Sequence, residues 1–115
     1  MKFIRHDNTW IWGHSTIAIT NDGCGTVTVQ FYKDEPGVAY LTSLSVHESK
    51  RNCGYGTKLV KEAETIAKEY DATRIILSVD KNSWVFDWYV RLGFKFCGFN
   101  LDFKDTVYIL DKELN

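Results

Sequence analysis

The segment with the clearest chemical potential is a glycine-bearing stretch that leaves a predicted strand and enters a predicted helix. It reads RNCGYGT over residues 51–57. A helix N-terminus presents unpaired N–H groups and the positive end of the helix dipole, so it attracts anions. Gly54 and Gly56 carry no side chain that would hold an anion away from the backbone, and Arg51 adds a positive charge. The loop alone is equally consistent with a phosphate or pyrophosphate site and with a plain glycine-rich turn.

Two common phosphate-binding motifs do not fit this stretch. The P-loop motif GxxxxGK[ST] has a different spacing and needs a Lys followed by Ser or Thr. The dinucleotide-binding motif GxGxxG needs a third glycine where this chain has Leu59, and it follows the first strand of a parallel sheet. Both motifs are therefore excluded.

Apolar patterns around the loop predict the elements that position it. Residues 15–46 alternate as an antiparallel meander of three strands, with turns at 21–23 and 34–37. A strand covered on both faces is predicted at 74–79. Between them, the apolar residues of a predicted helix share one face: Leu59, Val60, Ala63, Ile66, Ala67 and Tyr70.

The remaining residues predict a short helix and two closing strands. Asn82 or Ser83 can cap a helix that continues through Leu92 and stops at Gly93, with Trp84, Trp88 and Leu92 on one stripe. The fold class is α/β (α+β), with a mixed, mostly antiparallel sheet, the order βββ-α-β-α-ββ and helices packed on the sheet. Strand 38–46, helix 55–70 and strand 74–80 form one crossover unit, and the closing strands are expected at 94–99 and 106–111.

Length and composition limit the class of protein. The 115 residues predict a single domain over 1–115, with 44% hydrophobic and 25% charged residues. A net charge of -1 argues against a nucleic-acid binder. The 3 cysteines and 3 histidines match neither a disulfide framework nor a metal site. With no apolar run long enough for a membrane span, we expect a reduced, cytoplasmic protein without a metal.

Two motifs in the right order resemble those of the GNAT superfamily of acyl-coenzyme A-dependent N-acyltransferases. The first has the form [RQ]xxGxG[AG], and the second has the form NxxAxxxYxxxGF. The resemblance covers residues 38–99, and it places Val85 where the family usually has Ala. The matching residues are Arg51, Gly54, Gly56 and Thr57 in the first motif, and Asn82, Tyr89, Gly93 and Phe94 in the second.

This resemblance implies a cofactor site and one catalytic residue. It implies that the pyrophosphate of coenzyme A lies on the amides of residues 51–57, and that the pantetheine arm pairs with the strand before the loop. It implies that Tyr89 faces the thioester sulfur and protonates the leaving thiolate, with a core aromatic as the alternative for this residue. The implied cofactor-binding set is Leu44, Ser45, Val46, Arg51, Asn52, Cys53, Gly54, Tyr55, Gly56, Thr57 and Asn82.

The general base is left open by the sequence. Some relatives carry a Glu at the position of Tyr40, and the strand VAYLTSLSV contains no carboxylate. Asp80, Glu35, His14 and a water chain held by Thr42 or Ser43 are the alternatives.

The N-terminus is shorter than in relatives. Residues 1–14 have no helical period, and Trp10 and Trp12 alternate as a strand would. We expect this tryptophan pair in the core in preference to a dimer surface. The acceptor side is expected to be shallow, or completed by a second copy of the chain in a homodimer.

The resulting hypothesis is an N-acetyltransferase that moves an acetyl group from acetyl-CoA to a primary amine, on a small molecule or on a protein Lys or N-terminus. The alternative is a catalytically inactive acyl-CoA-binding or regulatory module of the same fold. Tyr89 and Asn82 favour the enzyme, while the missing carboxylate on strand 38–46 favours the module.

Overall fold

The computed structural model describes residues 1–80, 83–100 and 107–115. In this part of the chain the strands form a sheet of seven, in the order β1-β2-β3-β4-β5-β7-β6. Every pair of neighbours is antiparallel except β4 and β5, which run parallel. The elements are β1 (Phe3–Trp10), β2 (Gly13–Thr20), β3 (Gly25–Tyr32), β4 (Val38–Val46), α1 (Tyr55–Glu69), β5 (Arg74–Asp80), α2 (Val85–Arg91), β6 (Lys95–Asn100) and β7 (Val107–Glu113).

The predicted order βββ-α-β-α-ββ is confirmed, and the structure adds β1 in front of it. β1 lies at the edge of the sheet, and six of its eight residues are exposed. A strand with so little buried surface carries little apolar alternation, so the residue pattern indicated strand character only at Trp10 and Trp12. The expectation of a buried tryptophan pair is wrong for Trp12, which lies in the turn after β1 with 70% of its surface exposed.

The crossover unit β4-α1-β5 is confirmed. α1 buries the predicted apolar stripe, including Leu59 and Ile66 at 0% exposure. Burial of one such side chain stabilises the fold by roughly 1.5–3 kcal/mol. Tyr70 was predicted on the same stripe, but it follows the last turn of α1 and is 43% exposed, with its ring 5.0 Å from that of Phe31.

Both helices lie on one face of the sheet. The ammonium group of Lys112 on β7 donates to a Glu64 oxygen on α1 at 3.2 Å and to the carbonyl of Leu92 after α2 at 2.9 Å. β5 is therefore buried on one face, at Ile75, Leu77 and Val79. The prediction that this strand is covered on both faces is wrong, because the described helices cover only one.

The sheet opens between β4 and β5. The parallel pairing runs from Val38–Arg74 to Tyr40–Ile76 and extends no further in the described residues. Beyond that point β5 stays paired with β7. On its other side, β4 bulges at Thr42, since Thr28 pairs with Ser43 whereas the next residue of β3 pairs with Leu41. A cleft therefore separates the C-terminal ends of the two parallel strands.

The short helix α2 begins at Val85 with Trp84 as its N-cap residue, one position later than the predicted cap at Ser83. The side-chain oxygen of Ser83 accepts a hydrogen bond from the backbone N–H of Val85 at 3.3 Å. Gly93 follows the helix with φ of 99°, a left-handed conformation that glycine adopts without strain. Asn82, the other predicted cap, lies outside the described residues. No helix in the described part of the chain is long and apolar enough to cross a membrane.

Candidate functional site

A groove of about 880 Å³ lies at the open end of the β4–β5 cleft. The end of β4 forms one wall, the loop before α1 forms the floor, and α2 forms the opposite wall. The residues that line it are Leu44, Ser45, Val46, Lys50, Arg51, Asn52, Gly54, Tyr55, Gly56, Thr57, Trp84, Val85, Trp88 and Arg91. The structure thus brings nine of the predicted cofactor residues together. Of the other two, Asn82 is outside the described residues and Cys53 does not line the groove.

The floor of the groove is the N-terminus of α1. Gly54 is the N-cap residue, with φ of 82° and no side chain to cap the helix. The first bond of the helix joins the N–H of Lys58 to the Gly54 carbonyl at 3.2 Å. The N–H groups of residues 55–57 therefore precede the helical hydrogen-bond ladder, and they face a groove that can hold an anion.

The two glycines of the loop have different structural requirements. A β-carbon on Gly54 would meet nothing within 4 Å, so this residue is required for its left-handed backbone. A β-carbon on Gly56 would lie 3.0 Å from the indole of Trp88. Gly56 therefore allows α1 and α2 to approach each other, which the residue pattern did not predict.

Three cations surround the floor. The Arg51 side chain reaches back toward β4, with its Nε donating to the Val46 carbonyl at 3.4 Å. Lys50 and Arg91 also line the groove. Only Arg51 was predicted as a site residue, because Lys50 and Arg91 belong to no phosphate motif. Positive charge from two separate segments is therefore available to a ligand with more than one phosphate.

The α2 wall was missed by the sequence analysis. Trp84 and Trp88 were assigned to a helical stripe, and in the structure both face the groove together with Arg91. Their spacing of four and three residues places them on one side of the helix. Trp84 is 75% exposed, which leaves a large apolar surface at the mouth of the groove.

A further residue that was not predicted, Asp22, anchors the start of α1 through a hydrogen bond from Tyr55. The Tyr55 hydroxyl donates to one Asp22 carboxylate oxygen. The other carboxylate oxygen accepts from the Thr20 hydroxyl at 2.7 Å and from the Cys24 N–H at 3.0 Å. These bonds hold the pKa of Asp22 well below its usual range, the bond from Tyr55 contributing most. The same bond to Asp22 raises the pKa of Tyr55 to about 12.

Tyr89 lies beneath the groove and is not among its lining residues. It is 7% exposed, with its ring centre 4.9 Å from that of Trp88 and 5.5 Å from that of Phe94. Burial raises the pKa of Tyr89 to about 12, because the phenolate would lose its hydration. The hydroxyl therefore keeps its proton at neutral pH and has that proton available to donate.

Cys53 is exposed, and its thiol lies 3.6 Å from the Arg51 carbonyl within the same loop. This local contact directs the thiol along the loop backbone.

The alternatives for the general base lie in different places. Asp80 is exposed at the end of β5. His14 belongs to a second cavity of about 500 Å³ at the C-terminal end of α1, where its ring stacks on Phe31 at 4.5 Å. Thr42 is the bulge residue of β4, and Glu35 accepts a hydrogen bond from Tyr40 at 2.6 Å. Ser43 follows Thr42 on β4 and pairs with Thr28. Thr42, Ser43 and Glu35 therefore lie near the vertex of the cleft, the point just beyond the Tyr40–Ile76 pair where β4 and β5 separate.

Comparison with known proteins identifies the class of protein. Residues 3–94, which include the parallel strand pair and the bare N-terminus of α1, match the model of the acetyltransferase (GNAT) family. The chain belongs to the acetyltransferase (GNAT) family. This confirms the resemblance inferred from the two motifs.

Several relatives are similar over most of the chain. An N-terminal acetyltransferase complex ARD1 subunit homolog from Dictyostelium discoideum is 36% identical over 117 residues, which cover 96% of this chain and 54% of that protein. The chain thus spans about half the length of this relative. Among solved structures, a Bacillus subtilis acetyltransferase in complex with CoA matches with a TM-score of 0.78 and 17% identity, covering 99% of this chain and 100% of that chain. A Bacillus cereus acetyltransferase matches with a TM-score of 0.68 and 25% identity, covering 96% and 74%.

Proposed function

We propose that the protein transfers an acetyl group from acetyl-CoA to a primary amine. The observation that carries this proposal is the continuity between the unpaired end of β4 and the N-terminus of α1, which form one groove. A ligand with a peptide-like arm and a pyrophosphate requires this combination, because the arm can pair with a strand edge while the phosphates bind helix amides. The CoA complex of the Bacillus subtilis structure, which has the same fold, supports this choice of ligand.

The cofactor would bind in an extended conformation along the groove. Its pyrophosphate would accept hydrogen bonds from the N–H groups of residues 54–57, with Arg51 close to the charge. Its pantetheine arm would run along Leu44, Ser45 and Val46, whose strand edge has no partner toward β5 in the described residues. This places the thioester toward Thr42, at the vertex of the cleft. Arg91 and Lys50 would neutralise the remaining phosphate charge.

The proposed reaction is a direct transfer. The nitrogen of the neutral amine attacks the thioester carbonyl, a backbone N–H stabilises the oxyanion, and the carbon–sulfur bond breaks. The leaving thiolate takes a proton from the hydroxyl of Tyr89, which then recovers one from solvent. The raised pKa of Tyr89, about 12, keeps the proton on the hydroxyl until the thiolate forms.

For the acceptor, we propose that peptide N-termini be tested before other amines. The name of the Dictyostelium discoideum relative, an N-terminal acetyltransferase complex subunit homolog, supports this order. Lysine side chains and small primary amines follow in the same screen.

The second candidate function is a catalytically inactive acyl-CoA-binding module. The burial of Tyr89 outside the groove lining favours it, as does the absence of a carboxylate from β4. Transfer from acetyl-CoA to any amine of the screen would exclude this candidate. Binding of acetyl-CoA without transfer to any of them would support it.

Thermal unfolding with acetyl-CoA, CoA or ATP tests the cofactor site first. At about a hundred times the dissociation constant, a ligand that binds only the folded state adds about 2.7 kcal/mol, which is a shift of several degrees for this length. We expect a shift with acetyl-CoA and CoA, and none with ATP. An Arg51→Ala variant should lose about half of the shift, while Lys95→Ala, an exposed cation on β6, should keep it. No shift with any ligand would refute the proposed site.

A further inference from the structure

Tyr40 lies at the vertex of the cleft. It is the last residue of β4 that pairs with β5, through Ile76, before the strands separate. Its neighbours Ala39 and Leu41 are buried, at 0% and 7% exposure, beneath the helices. Because side chains alternate along a strand, the Tyr40 ring lies on the opposite face of the sheet, which the described helices leave open. An amine can therefore reach the vertex from this face while a cofactor occupies the groove on the other.

The Tyr40 hydroxyl has a carboxylate partner. It donates to an oxygen of Glu35, in the turn between β3 and β4, at 2.6 Å. This bond, together with burial, raises the pKa of Tyr40 to about 12. Two further groups act on the same hydroxyl. Tyr32 on β3, whose ring centre lies 5.6 Å from that of Tyr40, raises the pKa, and Arg74 on β5 lowers it. The charge of Arg74 is already paired, because its Nε lies 2.7 Å from a carboxylate oxygen of Asp111 on β7. The carboxylate that bonds to Tyr40 is that of Glu35.

We propose that Tyr40 and Glu35 together accept the proton released by the amine during acetyl transfer. This inference rests on the proposed function and assigns the base that the sequence left open. Tyr40 is the catalytic residue, since its hydroxyl would face the amine, and Glu35 is a positioning residue that acts through it. The turn before β4 thus supplies the carboxylate that the strand itself lacks.

The proton transfer balances without a further reactant. As the amine nitrogen bonds to the thioester carbon, one N–H proton passes to the Tyr40 oxygen, and the Tyr40 proton passes to Glu35 along the existing bond. The tyrosine ends the step neutral, and the carboxylate ends it protonated. Glu35 then releases its proton to solvent, while the thiolate is protonated as proposed above. With a pKa of about 12, the Tyr40 hydroxyl already holds its proton at neutral pH. It can therefore take a proton from the amine only by passing its own to Glu35.

Three variants test this pair. Tyr40→Phe removes the hydroxyl and keeps the ring, whereas Glu35→Gln keeps a hydrogen-bond acceptor and removes the charge. Asp34→Asn changes the adjacent exposed carboxylate and is the matched control. Initial rates are measured at saturating acetyl-CoA, with an amine on which the wild type is active, from pH 5.5 to 10. Calorimetric binding of acetyl-CoA and the thermal midpoint are measured for every variant.

We expect kcat near pH 7 to fall by about 10²-fold for both test variants, the lower end for general acid–base catalysis. The double variant should lose no more than either single one, because the two residues act as a unit. The solvent deuterium effect on kcat should shrink in both test variants, because each of them interrupts the transfer of the proton between Tyr40 and Glu35. Acetyl-CoA binding should stay unchanged throughout.

Two results would overturn the inference, and they are distinguishable. If the wild type transfers acetyl groups and both variants keep kcat within about twofold, the pair is not the base and the proposed function stands. If the wild type binds acetyl-CoA but acetylates no amine of the screen, the proposed function and this inference fail together. A fall in kcat that follows the thermal midpoint, with an unchanged solvent deuterium effect, would also overturn the inference.

Discussion

Gly56 of α1 and Trp88 of α2 are in contact across the groove, and a β-carbon on Gly56 would lie 3.0 Å from Cζ2 and 3.2 Å from Cη2 of the indole. The contact joins the floor of the groove to its far wall. Trp88 also lies against Tyr89, with ring centres 4.9 Å apart. The position of the proposed catalytic tyrosine therefore depends on how closely the two helices approach at a single glycine.

Replacing Gly56 with Ala should destabilise the protein by about 1–2 kcal/mol, because the added methyl group would displace the indole. In a Trp88→Phe background the same change should be neutral or stabilising, since the contacting atoms are gone and Ala is the better helix former. Chemical denaturation without ligand measures both values. An equal loss of unfolding free energy in the two backgrounds would mean that contact with Trp88 is not what requires glycine at position 56.

Loss of the bond between Tyr55 and Asp22 should weaken acetyl-CoA binding while leaving the fold intact. Tyr55→Phe and Asp22→Asn should each raise the KM for acetyl-CoA several-fold, with kcat little changed, because the loop amides lose their fixed position. Glu113→Gln, at an exposed position on β7, is the control. A loss of kcat at constant KM would contradict the positioning role.

The same pair makes a prediction about pH. The pKa of Asp22 is lowered and that of Tyr55 is raised to about 12, so the bond persists between these two values. The contribution of Asp22 is present above its unfolded pKa and is lost only as the pH falls through its lower folded pKa. We therefore expect the acetyl-CoA affinity of the Asp22→Asn variant to lie below that of the wild type by a constant factor between pH 5 and 10. If the ratio of the two affinities changes within this pH range, the bond between Tyr55 and Asp22 is not the cause of the difference.

Salt should weaken the cofactor site through its three cations. Arg51→Ala and Arg91→Ala should each raise the dissociation constant for acetyl-CoA by about tenfold at low ionic strength, and by less at high ionic strength. Calorimetric titrations over a range of sodium chloride concentrations give both the affinity and its salt slope. Lys95→Ala should reproduce the wild-type slope, and a matching decrease in that variant would indicate a general charge effect.

Tyr89→Phe separates chemistry from binding. We expect kcat to fall by about 10²-fold, with unchanged acetyl-CoA affinity, if the hydroxyl protonates the thiolate. Because the folded pKa is about 12, the proton is present below that value, and Tyr89 should cause no decline of kcat between pH 7 and 10. Tyr108→Phe, on β7, is the matched control. An unchanged kcat would remove Tyr89 from the mechanism and leave it as a core aromatic.

The sequence predicted the elements whose residue patterns are local. The period of α1, the alternation of β3 and the apolar residues of β5 each follow from burial on one side of an element. The glycine loop was predicted because the residues that suit it to bind phosphate, Arg51, Gly54 and Gly56, are close together in the sequence. β1 was not predicted because its exposed strand has no buried side to mark it.

The parts of the site that were missed depend on contacts between distant segments. Asp22 and Tyr55 are 33 positions apart, and neither residue belongs to a pattern that includes the other. The position of Trp88 against Gly56 requires the crossover that brings α2 beside α1. The bond between Tyr40 and Glu35 spans only five positions, but its meaning depends on where β4 and β5 separate, which residue types alone do not determine.

Only three residue pairs join β4 to β5 in the described residues. The sheet therefore consists of two groups of strands, β1 to β4 and β5 to β7, with a short junction between them. α1 packs on strands of both groups and thus spans the junction. Amide hydrogens along the unpaired edges of β4 and β5 can exchange with water without unfolding of either group of strands. A ligand that fills the cleft would replace the missing strand partners, so occupancy should slow exchange along β4 and β5 far more than in the outer strands.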